Sequence, residues 1–130
     1  MADKELLLDA ARQAAKRAYC PYSNFHVGAA VLTESGEVIT GCNTENATYG
    51  LALCAERLAI CKAIEAGHKV KEIAVTCIDA KASDDGTTKM PCGMCRQVMA
   101  EFMDMNSEVH VDTVRTFKLS ELLPHAFVLK

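Results

Sequence analysis

Hydrophobic residues return at helical intervals from Asp3 to Tyr19, where Leu6, Leu7, Ala10, Ala14 and Ala18 recur on one face. The spacing predicts a first helix there, broken by Pro21, Ser23 and Asn24. His26 to Thr33 is a nearly continuous apolar run, and Glu34-Ser35-Gly36 turns it back into Val38 to Thr40, which reads as a β-hairpin. A polar loop from Asn43 to Gly50 follows. From Cys54 to Ala66 the positions Leu58, Ala59, Cys61 and Ile64 regain the helical period, and Gly67 stops it. Lys71 to Asp79, with Ile73, Val75, Cys77 and Ile78, predicts a third strand, and Ala80 to Lys89 another polar loop. Pro91 stands just ahead of a third helix from Gly93 through Met103, marked by Met94, Val98, Met99, Phe102 and Met103. Val109 to Val111 and Val114 to Phe117 supply two short late strands, and Leu119 to Leu123 a brief helix before Pro124. Helices interleaved with strands in this order predict an α/β protein, a three-layer α/β/α sandwich around a mixed sheet of about five strands.

Composition agrees with one ordered domain spanning residues 1–130. Half of the residues are hydrophobic and 24% are charged, a globular profile rather than a disordered one. No apolar run approaches the roughly 20 residues that span a bilayer, so no membrane partner is expected. The start of the chain, with Asp3, Lys4 and Glu5, lacks the order of a secretory signal, and a cytoplasmic location is expected. Net charge is −3 and the basic residues are scattered, which removes the electrostatic footprint of a nucleic-acid binder.

Seven cysteines are an odd number for a disulfide framework, and without a secretion signal reduced thiols are the better reading. Cys92 and Cys95 lie three apart at a predicted helix start, so both sulfurs can reach one ion, and the positive helix end favours thiolates. A redox pair or two packed core cysteines would leave the same trace. Cys54 offers a third thiol, and a catalytic zinc takes three protein ligands. His26, His68, His110 and His125 lack ligand spacing. Glu56, two positions after Cys54, can share a cavity with it only at the helix end, where it suits a proton shuttle beside a metal; alternatively it is a carboxylate favoured by the helix dipole.

Cys54-x-Glu56 followed by Pro91-Cys92-x-x-Cys95 resembles the signature of the zinc-dependent nucleobase deaminases. Around it, Tyr22 to Ala30, Gly41 to Gly50, Cys54 to Arg57, Pro91 to Gln97 and Leu122 to Phe127 resemble the small homotetrameric cytidine deaminases, over nearly the whole chain. Met90 and His26 depart from that family's usual small polar residue and proline, and Asp104 to Thr116 resembles nothing specific.

The resemblance implies one zinc per chain on Cys54, Cys92 and Cys95, and hydrolytic deamination of cytidine and deoxycytidine, with Glu56 protonating N3 and then the leaving amine. It implies that Asn43 and Glu45 grip the ribose hydroxyls, that Phe25 stacks near the pyrimidine, and that Ala55 lies against the substrate. Phe127 matches an aromatic that reaches a neighbouring subunit's site in a homotetramer. Arg57 matches an arginine that hydrogen-bonds to ligand sulfurs, a role suited to the −1 total charge of Zn²⁺ with three thiolates. Read without the resemblance, Asn43 to Asn46 is an Asx-type turn, Phe25 a core residue and Arg57 a solvated one. Three rivals remain at this point: a deaminase of another aminopyrimidine nucleoside such as blasticidin S, a structural zinc module closed by Cys42 or Cys61, and a metal-free redox enzyme.

Overall fold

Strand alternation decides which helix each side chain meets. The computed structural model describes residues 3–81 and 85–129, so that 82–84 of the loop expected from Ala80 to Lys89 lie outside the described residues. Its elements run α1 (Asp3–Ala15), β1 (Val27–Thr33), β2 (Val38–Cys42), α2 (Ala55–Glu65), β3 (Val70–Cys77), α3 (Gly93–Phe102), β4 (Glu108–Val111), β5 (Arg115–Lys118) and α4 (Leu119–Leu122), with single 3-10 turns at Tyr49–Leu51 and Thr87–Lys89. The strands form one sheet in the order β2-β1-β3-β4-β5. All neighbours are antiparallel except β3 and β4. A parallel pair needs a crossover, and α3 lies in that connection.

Leu7, Leu8 and Ala11 of α1 pack with Ala30, Leu32 and Ala74 on one face of the sheet. Ala55, Ala59, Ile60 and Ala63 of α2 and Met99 of α3 pack with Ala29, Val31, Ile73, Val75, Val109 and Val111 on the other. The mixed sheet with helices on both sides is the architecture expected from the sequence. Two glycines let the helices approach this closely. A Cβ on Gly28 would stand 2.0 Å from the Ala11 carbonyl oxygen of α1, and one on Gly41 would stand 2.6 Å from both the Ala55 carbonyl oxygen and the Ala59 nitrogen of α2.

Several boundaries differ from the sequence pattern by one or more residues, β3 running Val70–Cys77 in place of Lys71 to Asp79, and three of the differences have a visible local cause. The first helix ends at Ala15, not Tyr19. Its last turn tightens through Arg17 N–H to Ala14 and Ala18 N–H to Ala15, and Tyr19 then exchanges backbone hydrogen bonds with Asn43 and Glu45. Ala18, which carried the period onward, is a residue whose spacing says little. β2 continues to Cys42 because Gly41 and Cys42 still pair with Ala29 and Gly28. The last strand starts at Arg115, since Thr113 adopts a left-handed φ of 63° and Val114 completes that turn.

Two polar ties sit among the apolar layers. Arg12 of α1 grips Asp112 through two hydrogen bonds, Nε to Oδ2 at 2.9 Å and Nη2 to Oδ1 at 2.7 Å, and Thr76 donates to Oδ2 at 2.8 Å. His110 is buried between Glu72, 2.8 Å from its Nε2, and Thr116, 2.7 Å from its Nδ1. Among the described residues no helix is long and apolar enough to cross a membrane.

The hydrogen bond from Arg12 is the main force holding the Asp112 carboxyl below the usual carboxylate range. Its folded value therefore lies under its unfolded one, and the stability it contributes is present above about pH 4 and lost as the pH falls further. Asp112→Asn is expected to lower stability at pH 7 by about 1–2 kcal/mol, a bidentate charged pair's worth. In urea unfolding, the difference between the two proteins should shrink at lower pH; a constant difference down to pH 3 would contradict this account.

Candidate metal centre and its cavity

The register of the sheet builds the site at one edge. Val27 pairs with Cys77 and Gly28 with Cys42, so the start of β1 meets the ends of β2 and β3. The chain leaves β2 through Asn43 to Leu53 and enters α2, while the segment after β3 leads into α3. Cys54 is the N-cap of α2 and Cys92 the N-cap of α3, both in extended backbone conformation. The two helix N-termini thereby face a common point.

At that point the sulfurs of Cys54, Cys92 and Cys95 lie within 4.8 Å of one another, with Cys92 and Cys95 at 3.4 Å. Tetrahedral zinc with bonds of about 2.3 Å sets its sulfur ligands about 3.8 Å apart, so three soft donors of this separation suit that ion. Neither Cys42 nor Cys61 joins them among the described residues, and Cys61 is exposed on the outer side of α2. A closed four-sulfur site has no fourth thiol here. Three of the four histidines are engaged elsewhere: His26 with Asp79, His68 with Glu37, and His110 with Glu72. Among the described residues the other group of close metal-type donors is Glu72, Glu108 and His110, and His110 pairs with Ala74 of the α1 side of the sheet.

The thiols of Cys54 and Cys95 are displaced in opposite directions. Cys54 is pulled down to about 6, first because the Cys95 thiol donates to it, then because Cys92 donates and the Arg57 guanidinium lies beside it. Cys95 is pushed up in return, since its proton serves the Cys54 sulfur and its site is buried. Arg57 is half-buried, with its guanidinium beside the Cys54 sulfur.

Glu56 is 4% exposed and opens onto the same cavity as Cys54, Ala55 and Cys92. Burial pushes its carboxyl up to about 7, and the negative charge on Cys54 acts in the same direction. A carboxyl poised near neutrality exchanges protons in both directions. The cavity, about 260 Å³, has an apolar side formed by Phe25, Val27 and Met90 and a polar side at Asn43 and Glu45. Met90, which replaces the usual small polar residue, therefore faces the cavity and also packs on the main core.

Asn43 is not the head of an Asx turn. Its Oδ1 accepts the Val27 N–H at 2.9 Å and its Nδ2 donates to the Phe25 carbonyl at 2.8 Å, which leaves one amide hydrogen for a ligand. The Asx-type bond belongs to Asn46, whose Oδ1 accepts the Thr48 N–H. His26, where proline is usual in the resembling family, donates its backbone N–H to Asp79 at 2.6 Å, a bond that proline has no hydrogen to make. Phe127 stands away from this cavity, 68% exposed.

Two further residues hold the site together without any signal in spacing. Arg96, directly after Cys95, donates from Nε to the Pro91 carbonyl and from Nη1 to the Leu122 carbonyl, both at 2.8 Å, and so fixes the entry to α3 against α4. Gln97 donates to the Phe127 carbonyl at 3.1 Å and anchors the C-terminal segment. Carbonyl acceptors are anonymous in a sequence, so neither role was readable there.

Known proteins bear on this geometry. The family model described as the cytidine and deoxycytidylate deaminase zinc-binding region matches residues 1–111. A cytidine deaminase of Mycobacterium tuberculosis is 46% identical over 128 residues, covering 98% of this chain and 91% of that protein. One of Halalkalibacterium halodurans is 45% identical, covering 96% and 94%. The crystal structure of cytidine deaminase from M. tuberculosis superposes with a TM-score of 0.85 at 41% identity, covering 99% of this chain and 100% of that one. That of Burkholderia pseudomallei gives the same TM-score at 42% identity, with 98% and 100% covered. With a family match across most of its length and relatives of this identity end to end, the chain belongs to the cytidine and deoxycytidylate deaminases, a zinc-binding family.

Proposed function

We propose that the protein hydrolyses cytidine and deoxycytidine to uridine and deoxyuridine with release of ammonia. The observation that carries this reading is the buried Glu56 carboxyl in the same cavity as three convergent cysteine sulfurs. Cys54, Cys92 and Cys95 would hold one zinc, which when bound supplies the Lewis-acid charge that activates water for attack at C4 of the ring. Glu56 carries protons from the attacking water to N3 and then to the departing amine, so that one water and one nucleoside leave as the keto product and ammonia. Arg57 draws negative charge from the sulfur cluster. Phe25 and Ala55 form the walls against the pyrimidine, and Asn43 and Glu45 receive the sugar hydroxyls.

The same reading has the enzyme acting in pyrimidine salvage in the cytoplasm as a homotetramer, with Phe127 completing the cavity of a neighbouring copy. Its exposure in the single chain, together with exposed Val128 and Leu129, is what a segment covered in an assembly would show.

Zinc analysis is expected to give about one ion per chain, with X-ray absorption reporting three sulfurs and one lighter atom; a shell of four sulfurs would favour a structural module. Glu56→Gln should keep zinc and fold yet lose about 10²–10⁴-fold in turnover, since an amide of equal size cannot relay protons. Near-normal ammonia release from cytidine by this variant would reduce Glu56 to a helix-start carboxylate. Light scattering should report four copies of the 14.1 kDa chain, and a fully active monomer would remove the role given to Phe127.

A further inference from the structure

Glu45 is held in place by a clamp from the segment ahead of β1. Its Oε1 accepts the backbone N–H groups of Tyr22 at 3.0 Å and Ser23 at 3.2 Å, and the Ser23 hydroxyl donates to Oε2. The same Ser23 Oγ accepts the backbone N–H of Phe25 at 3.0 Å. One hydroxyl therefore stands between the carboxylate and the backbone of the aromatic wall. The surrounding loops are already strapped together by Tyr19 N–H to the Asn43 carbonyl and Glu45 N–H to the Tyr19 carbonyl. Those bonds fix the main chain and leave the Glu45 side chain free to rotate. Three of the roughly four lone-pair sites on the carboxylate are occupied by the clamp, which leaves an acceptor for one further donor.

We propose that Ser23 is a positioning residue for the sugar end of the substrate: its hydroxyl sets the rotation of the Glu45 carboxylate and ties it to Phe25. The proposal rests on the reading of Glu45 as the carboxylate that meets sugar hydroxyls. Fixing a flexible side chain before binding removes an ordering loss that each substrate would otherwise meet. The Ser23 hydroxyl also leads the donors that keep the Glu45 carboxyl below its usual range, so the group is an acceptor throughout the neutral region. Ser23 is exposed and its hydrogen-bond partners are Glu45 and Phe25, neither of them a zinc-ligand residue.

The test is steady-state kinetics on cytidine and on 2′,3′-dideoxycytidine, which keeps the base and lacks two sugar hydroxyls. Ser23→Ala is expected to raise KM for cytidine about tenfold while kcat moves less than about twofold and KM for the dideoxy substrate barely changes. Ser23→Thr, which keeps the hydroxyl, should return the cytidine KM to within about threefold of the parent. Equal losses on both substrates, a fall in kcat alone, or no rescue by threonine would overturn the proposal and leave Ser23 a simple turn residue. Glu45→Ala, measured beside them, should erase the parent's preference for cytidine over the dideoxy compound. If that preference survives Glu45→Ala, the sugar reading itself has failed and the proposal falls with it. If it disappears while Ser23→Ala changes nothing, only the role of Ser23 is lost.

Discussion

Three sulfur atoms from two distant segments have to meet at one point, and the rest of the molecule is arranged around that requirement. Cys54 and Cys92 serve as the N-caps of α2 and α3, a position where serine, threonine, asparagine or aspartate would ordinarily bond a free backbone N–H. Neither cysteine makes such a bond. The forgone cap is worth about 1 kcal/mol at each helix, and in exchange both sulfurs are aimed along the helix axes at the same spot. Helix α2 can reach that spot only because Gly41 lets its backbone rest on β2, and α3 enters it at an angle held by the two carbonyl bonds of Arg96.

The fold was largely legible because apolar positions alternate or recur wherever an element packs. Strand β1 meets a helix on both faces and reads as an unbroken apolar run, while α3 shows the period of a helix with one buried side. Legibility failed where alanine imitates a pattern, as at Ala18, and where a chain reversal uses a left-handed residue other than glycine, as at Thr113. Within the site, the cysteines and Glu56 stand out because their residue types and spacing are chemically restrictive. The positions that steer them do not stand out. Asn43 and Arg96 act on backbone carbonyls or N–H groups, and Asp79 anchors β1 through the main chain of His26. A sequence names the side chain in such a bond and never its partner.

Two buried carboxylates in this small protein illustrate opposite uses of burial. Glu72 faces His110, and Thr116 completes a chain of hydrogen bonds in which each polar atom finds a counterpart. Among the described residues no cationic side chain enters the surroundings of Glu56. Its surroundings are its own helix N-terminus, a cysteine thiol and the charge on Cys54, so burial raises its affinity for a proton instead of fixing it as an anion. The first arrangement stabilises the β3–β4 pair; the second leaves a group whose protonation state is easily changed.

The steric environment of the glycines bears on how the sequence can be diversified in a directed-evolution library. Gly93 sits inside the cysteine motif and so invites protection, yet a Cβ there would meet nothing within 4 Å, and the same holds for Gly50. Gly28 lies in a strand, outside the cysteine motif, and no side chain fits between it and α1 without displacing the helix. A library that freezes the motif and randomises the strands would discard most of its members at Gly28 and Gly41, while leaving unexplored a position beside the metal centre that has room to vary.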